Sequence, residues 1–362
     1  MRTDISKLVQ AVNRVGISNV SLLSRMTGMP NETVRYVLKR RFPDLGLTVG
    51  VHLDYPKLGL EQYYANVKLS KSSRGAAARV LQKFSEVGLL TYSCGSLMDN
   101  DYTALFTVPV AESEKFQFFV REATESKIFE QVRLNRLDWA RQCELKSKYY
   151  NFSSGVWNID WKRVAADDEP VPSLAGKTEP TATPDVDLMD LLILKEFQLN
   201  AWRNVAEIAR KLGTNERTLR WHHKRHVLPL ISAYYVRWVP GPSISLPRVM
   251  GAVSEFNGLS NSQLAKVRAL FNSLPFGWYE AGNYEGYYLA QFAVPPEHAS
   301  DTMRFLKTGL ENLVPSWETR LLDLSSGHTY TLPYQNFRKE GAWAFDPERA
   351  LDAILAVAKA KQ

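Results

Sequence analysis

The feature that most constrains this chain is that it is written twice. Asn19-Val20 returns 185 residues later as Asn204-Val205. The same spacing pairs Arg25 with Arg210, Gly28 with Gly213, Thr33 with Thr218, Arg35 with Arg220, and Lys39-Arg40 with Lys224-Arg225, with no gap. Further on, Gly95 pairs with Gly282 and Val108-Pro109 with Val294-Pro295. Asn151-Phe152, Gly155 and Trp157 return as Asn336-Phe337, Gly341 and Trp343. A unit repeated once over so long a period is a duplicated set of domains and not a stacked solenoid. The 362 residues therefore divide into two similar halves, each large enough to bury its own core. Residues 165–187, AADDEPVPSLAGKTEPTATPDVD, lie between them, rich in Pro, Ala, Thr and acid. Such a stretch reads as an extended, solvated linker.

Each half opens with helical periodicity. In the second, a helix is expected over 187–199. In NVAEIARKLG that follows, Val205, Ile208, Ala209 and Leu212 fall on one helical face, and Gly213 suits a left-handed turn. Thr214 is the expected cap of a further helix, TNERTLRWHHKRHV. In the first half Ile5, Leu8, Val9 and Val12 mark helix one, Ser18 is placed to cap helix two, and Gly28 makes the turn. Pro30 suits the first position of helix three, which leaves Asn31, Arg35 and Lys39 outward. A helix, a tight glycine turn and a second helix form the helix-turn-helix signature.

About 110 residues of alternating strand and helix patterns follow each motif. The first half reads as strand 63–69, helix 76–87, strands 89–94 and 102–108, helix 112–124 and strand 131–137. The second reads as 248–256, 262–273, 278–282, 287–294, 297–313 and 317–324 in the same order. That order, β-α-β-β-α-β, is the ferredoxin-like arrangement. The expected fold class is thus α+β, with two tandem copies of a (winged) helix-turn-helix followed by a ferredoxin-like βαββαβ domain. Domains are expected at 1–46 and 47–164, then a linker at 165–185, then 186–231 and 232–349, with a C-terminal helix over 350–362. The aromatic tails 151–157 and 336–343 are read as extra strands or clasps on the α/β units.

These residues resemble the leucine-responsive regulator/AsnC (Lrp/AsnC) family of prokaryotic transcription regulators. Val186 to Leu194, VDLMDLLIL, is similar to that family's first-helix pattern, and Ile208 to Gly213, IARKLG, to its second helix and turn. Val51 to Leu60, VHLDYPKLGL, resembles the stretch joining its DNA-binding and effector domains, and Gly282 to Leu289, GNYEGYYL, its effector-domain hairpin. The resemblance implies a sequence-specific DNA-binding regulator acting as a covalent pseudo-dimer. Double-stranded DNA is the implied partner. A small-molecule effector between the α/β domains and self-association through them are implied as well. Gly95, Asp99, Asp101, Gly282 and Glu285 are its candidate effector contacts.

On the third helix of each copy, Asn31 and Asn215 carry the group pair that reads adenine, and Arg35, Arg217 and Arg220 the fork that reads guanine. Lys39, Arg40, Lys224 and Arg225, with Arg25 and Arg210 by the turns, suit phosphates. A net charge of +7 fits such a partner without proving one. Trp221 and Tyr36 share a position open to DNA or to packing on the next strand. His222 and His226 are spaced as metal ligands, but no acid or Cys stands near them in sequence, so no metal is expected. Cys94 and Cys143 are the only cysteines, which excludes a disulfide scaffold and fits a reducing cytoplasm. The opening MRTDISKLVQAVNR is too charged for a signal peptide, and no apolar run is long enough to span a membrane. The expected place is the cytoplasm, at the nucleoid. No nucleophile-base-acid set, phosphate loop or metal cluster recurs between the copies, so neither an enzyme nor a cofactor is expected. The alternatives are an architectural chromatin protein that binds DNA broadly and a helix-turn-helix turned to protein interaction, with an enzyme last.

Overall fold

The computed structural model describes residues 4–166, 170–174, 185–238, 249–338 and 340–359. Most of the linker expected at 165–185 lies outside these residues. The first half begins with α1 (Ile5–Val15), α2 (Val20–Thr27) and α3 (Asn31–Tyr36), the last continuing into a wider turn at Val37–Arg41. It goes on through β1 (Leu47–Leu53), β2 (Leu60–Leu69), α4 (Ala77–Glu86), β3 (Leu90–Ser96), β4 (Asp101–Pro109), α5 (Ser113–Glu125) and β5 (Phe129–Leu137). Strand β6 (Trp139–Gln142) and a small hairpin of β7 (Tyr150–Asn151) and β8 (Val156–Trp157) end it.

The second half gives α6 (Leu188–Leu199), α7 (Val205–Leu212), α8 (Glu216–His222) with its wider turn at His223–Val227, and β9 (Ile231–Trp238). Then follow β10 (Met250–Phe256), α9 (Asn261–Ser273), β11 (Gly277–Gly282), β12 (Tyr288–Val294), α10 (Ala299–Leu310), β13 (Glu318–Thr329) and α11 (Pro347–Lys359).

The local chemistry explains the helix ends. Gly28 and Gly213 both take left-handed φ, +72° and +63°, at the ends of α2 and α7. A side chain there would be strained, which is why glycine recurs at that offset. Three caps differ from expectation by one residue. Asn19, not Ser18, caps α2 by accepting from the Leu22 amide. Asn215, not Thr214, caps α8 by accepting from the Arg217 amide. Pro30 is itself the residue before α3, so Asn31 is its first helical residue. In the first two cases two neighbouring residues could cap, and the hydrophobic register of the helix selects one. The C-terminal helix starts at Pro347, three residues earlier than expected.

Strands β1 and β9 were absent from the sequence expectation. They pair antiparallel with each other, from Leu47 opposite Trp238 to Leu53 opposite Ile231. Each strand's partner thus lies in the other half of the chain, beyond the reach of local patterning. The remaining long strands form one antiparallel sheet in the order β5-β2-β4-β3-β13-β10-β12-β11-β6. Its two ends are consecutive pieces of one run, since only Asp138 separates β5 from β6. The sheet therefore closes on itself as a barrel. The last strand of each half reaches across to the other half, β5–β6 to β11 and β13 to β3.

Alternation along the strands sorts the side chains into layers. Tyr63, Ala65 and Val67 point outward into a core with α4, α5 and α11. Ala252, Phe256, Tyr288 and Phe292 point outward towards α9 and α10. Tyr64, Cys94, Leu137, Val253, Tyr279, Ala281 and Leu289 point inward. The tail expectation at 151–157 corresponds to β7–β8, whose Tyr150 and Trp157 pack on Trp238 at ring distances of 4.6 and 5.2 Å. The tail at 336–343 closes with a bridge from Phe337 to Trp343.

Candidate functional site

The inside of the barrel is not filled to its end. Where the β1–β9 ribbon lies over the mouth, the walls leave a cleft of about 1420 Å³, counted with the solvent at its opening. Val51, His52 and Tyr55 line it from the first half, and Tyr235, Arg237 and Trp238 from the second. The barrel contributes Gln62, Tyr64, Tyr92, Trp278, Tyr279 and Gln291, and residues beyond β6 and β13 add Cys143 and Tyr330.

Charge in this cleft is one-sided. No Asp or Glu stands among its described lining residues, and Arg237 is their only Arg or Lys. The Arg237 guanidinium lies 5.7 Å from the centre of the Tyr235 ring. Its Nε is buried and has no hydrogen-bond partner among the described residues, and no salt bridge joins it to a described carboxylate. The hydroxyl of buried Tyr279 is also without a partner there. Buried donors left open cost stability unless something else meets them, and here that something must carry acceptors.

Burial holds His52, Tyr55, Tyr279 and Cys143 uncharged. Burial lowers His52 to about 4, outweighing its bond to the Ala140 carbonyl and the nearby Asp54 charge. The imidazole is thus neutral at pH 7. Its Nε2 lies 3.2 Å from that carbonyl oxygen, so Nε2 carries the proton and Nδ1 is bare. Burial raises Tyr279, with the neighbouring Tyr55 and Cys143 adding to it, and burial pushes the Cys143 thiol up to about 12. Burial likewise raises Tyr55. The cleft therefore presents one cation, protonated phenols and a thiol among aromatic walls. That is a chemistry for a flat, carboxylate-bearing aromatic ligand.

The eleven expected DNA contacts lie elsewhere. Arg25, Asn31, Arg35, Lys39, Arg40, Arg210, Asn215, Arg217, Arg220, Lys224 and Arg225 are all exposed on the helical ends of the two halves. Arg35 bonds Glu32 at 3.2 Å and Arg220 pairs with Glu216, one turn away on the same helix. Tyr36 and Trp221 are exposed as well, so neither packs on a strand. None of Gly95, Asp99, Asp101, Gly282 and Glu285 lines the cleft. Gly95 donates to Ser326, and a side chain at Gly282 would meet the Tyr287 carbonyl at 2.5 Å, so both serve strand packing. The cleft residues escaped sequence reading because the closed barrel assembles them from both halves. One signal was available. At the 185-residue offset, His52 aligns with Arg237.

The structure also gives His222 and His226 the acidic neighbours they lack in sequence. Asp190 on α6 is fully buried, with Oδ1 2.8 Å from His222 Nδ1 and Oδ2 3.3 Å from His226 Nδ1. Burial raises the Asp190 carboxyl, opposed by the Asp187 amide and by His222.

No protein-family profile matches the chain, and no curated protein matches it in sequence. Among solved structures, the siroheme decarboxylase NirDL superposes with a TM-score of 0.50 at 13% identity, covering 98% of this chain and 99% of that one. The same enzyme in co-complex with an iron-uroporphyrin III analogue gives 0.49 at 12%, over 97% and 98%. A transcriptional regulatory protein from Pyrococcus furiosus, a member of the AsnC family, matches at 15% identity and 0.26, over 38% of this chain and 88% of its own.

At these identities the likeness is one of fold. It nevertheless corrects the expectation of a DNA-binding regulator without enzymatic activity. The fold matched over nearly the whole chain is the one that the siroheme decarboxylase NirDL has. Reading the halves as separate units hid the cleft, which is lined from both of them. The mixed α+β architecture with a large antiparallel sheet stands. No described helix is long and apolar enough to cross a membrane.

Proposed function

We propose that the protein is an enzyme that holds a carboxylate-bearing tetrapyrrole in the barrel-mouth cleft and removes carboxyl groups from it as CO2. The observation that carries this reading is Arg237, a cation with an unpartnered buried Nε in an acid-free aromatic cleft. A carboxylate of the substrate would pair with that guanidinium, while Tyr92, Tyr235, Trp278 and Tyr330 would flank the macrocycle. In the reaction the C–COO⁻ bond breaks, CO2 leaves and the electron pair stays on the side-chain carbon. A proton then completes a methyl group. Tyr279, protonated and with a free hydroxyl, is suited to deliver it and to be resupplied by water. Neutral His52, fixed by the Ala140 carbonyl, would offer its bare Nδ1 to the substrate and keep a second positive charge out of the reacting end.

The finer architecture is read the same way. Each half is a winged helix-turn-helix followed by a ferredoxin-like domain, with boundaries near 46, 164, 186, 231 and 349. Support comes from the glycine turns at Gly28 and Gly213 and from the β-α-β-β-α-β order in both halves. The exposed Arg35, Lys39, Arg220 and Lys224 support contact between this outer face and an anionic polymer such as double-stranded DNA, apart from the chemistry in the cleft.

The test is anaerobic incubation of the purified protein with siroheme, followed by mass spectrometry of the pigment. The reading expects products lighter by whole CO2 units, and far less of them from Arg237→Ala. Unchanged pigment with the folded wild-type protein would reject it.

A further inference from the structure

The junction between α6 and α8 carries four metal-ligating side chains that the cleft chemistry does not use. Asp187 precedes α6 and Asp190 stands in its first turn, each accepting the other's backbone amide. His222 ends α8, and His226 lies one turn further on. His222 Nδ1 is 2.8 Å from Asp190 Oδ1 and 3.9 Å from Asp187 Oδ2. His226 Nδ1 is 3.3 Å from Asp190 Oδ2. Single donor atoms of Asp187, Asp190 and His222 all lie within 4.8 Å of one another.

The first half shows that this junction does not need polar groups. At the 185-residue offset Ile5 takes the place of Asp190 and Val37 that of His222, and both are buried. The flanking positions match in burial too, with Leu8 and Val9 standing where Ile193 and Leu194 do. The same helix crossing is thus sealed in one half by hydrocarbon and in the other by a carboxylate under two imidazoles. Burying that carboxylate is costly, and an apolar pair is the cheaper solution. Two carboxylates and one imidazole converge there, and His226 stands on the second oxygen of Asp190, within reach as a fourth donor of a tetrahedral divalent site. Zinc–ligand bonds of about 2.0–2.2 Å place donor atoms roughly 3.3 Å apart, close to the spacings found here.

We propose that Asp187, Asp190, His222 and His226 bind one divalent transition-metal ion, Zn²⁺ by preference, that pins α6 to α8 in the second half only. Oxygen and imidazole ligands without thiolate favour Zn²⁺ over softer ions such as Cu(I). Trp221 reports on the site. It is exposed, and its ring lies 5.0 Å from that of His222 and 4.8 Å from that of His226.

The experiment titrates the full chain, stripped with a chelator and dialysed, with ZnCl₂ by calorimetry and by tryptophan fluorescence. One Zn²⁺ per chain is expected, with a change in emission that Trp221→Phe abolishes while calorimetric binding persists. His222→Gln and Asp187→Asn should each weaken binding at least about tenfold, and His328→Gln should leave it unchanged. Asp187 is largely exposed, so its variant stays informative if replacing buried residues disturbs folding. Calorimetric binding that is absent in the wild type or equal in the wild type and Asp187→Asn, or an emission change on adding Zn²⁺ that survives in Trp221→Phe, would overturn the proposal.

Discussion

The two halves place different residues at equivalent points, and the cleft lies where those points meet. The ribbon pairs Gly50 with Tyr235, which are themselves 185 residues apart, so the pseudo-twofold axis passes between them. Two residues beyond each, the first half offers His52 and the second Arg237. One is neutral and fixed by a carbonyl; the other is charged and has an open donor. A symmetric pair of arginines would bind two carboxylates alike. A symmetric pair of histidines would leave the cleft without a permanent cation. Under the proposed function, divergence would separate holding from reacting within one barrel. The helical ends teach the same lesson, since the hydrocarbon seam of Ile5 and Val37 becomes the Asp190–His222 cluster in the second half.

The comparison is broken or sharpened most strongly at the phenols. Tyr92 and Tyr279 are equivalents, offset by 187 like the two glycines that follow them. Tyr279 has a free hydroxyl, whereas Tyr92 is engaged by the Cys94 thiol. Tyr279→Phe should lower turnover by roughly 10²–10⁴-fold, the usual worth of a proton donor, with ligand affinity nearly kept. Tyr92→Phe should do much less. Equal losses in single-turnover assays would erase the functional asymmetry.

His52 gives the next effect. Its pKa falls from an ordinary value near 6.5 to about 4 on folding. The unfolded chain then binds more protons across that window, so stability rises with pH from about 4 to 6.5 and is lost as pH falls through it. The full span corresponds to at most about 3 kcal/mol. Denaturant unfolding of wild type against His52→Leu should show that slope flattened in the variant. Replacing Arg237 should leave it in place.

A smaller effect is expected to be equal in both halves. Gly28→Ala and Gly213→Ala put a Cβ on left-handed backbone with nothing within 4 Å, so only backbone strain counts. Each should cost about 1–2 kcal/mol in thermal or urea unfolding. A large difference would mean that the two turns bear different loads. The smallest effect is expected from Arg35→Ala and Arg220→Ala, which lie on the outer face and should leave turnover in the cleft unaltered.

What could be read from the sequence follows from how far each interaction reaches. The glycine turns, the start of α6 near Asp187 and the β-α-β-β-α-β order depend on neighbours, and they were legible. The β1–β9 ribbon was not, because LTVGVHL finds its partner 185 residues away. Nor was the Asp190–His222 contact, whose members are 32 residues apart on different helices. The repeated basic residues drew attention to the outer face, since identity between copies is easy to see. The cleft depends on the opposite signal, a position where the copies differ.

The most direct test of the central claim is an absorbance titration of wild type and Arg237→Ala with an iron-uroporphyrin III analogue. Losing a charge-assisted contact of roughly 2–3 kcal/mol predicts that the variant, folded like the wild type, binds about 30- to 150-fold more weakly. Equal affinities, or no saturable binding by the wild type, would contradict the assignment of the cleft.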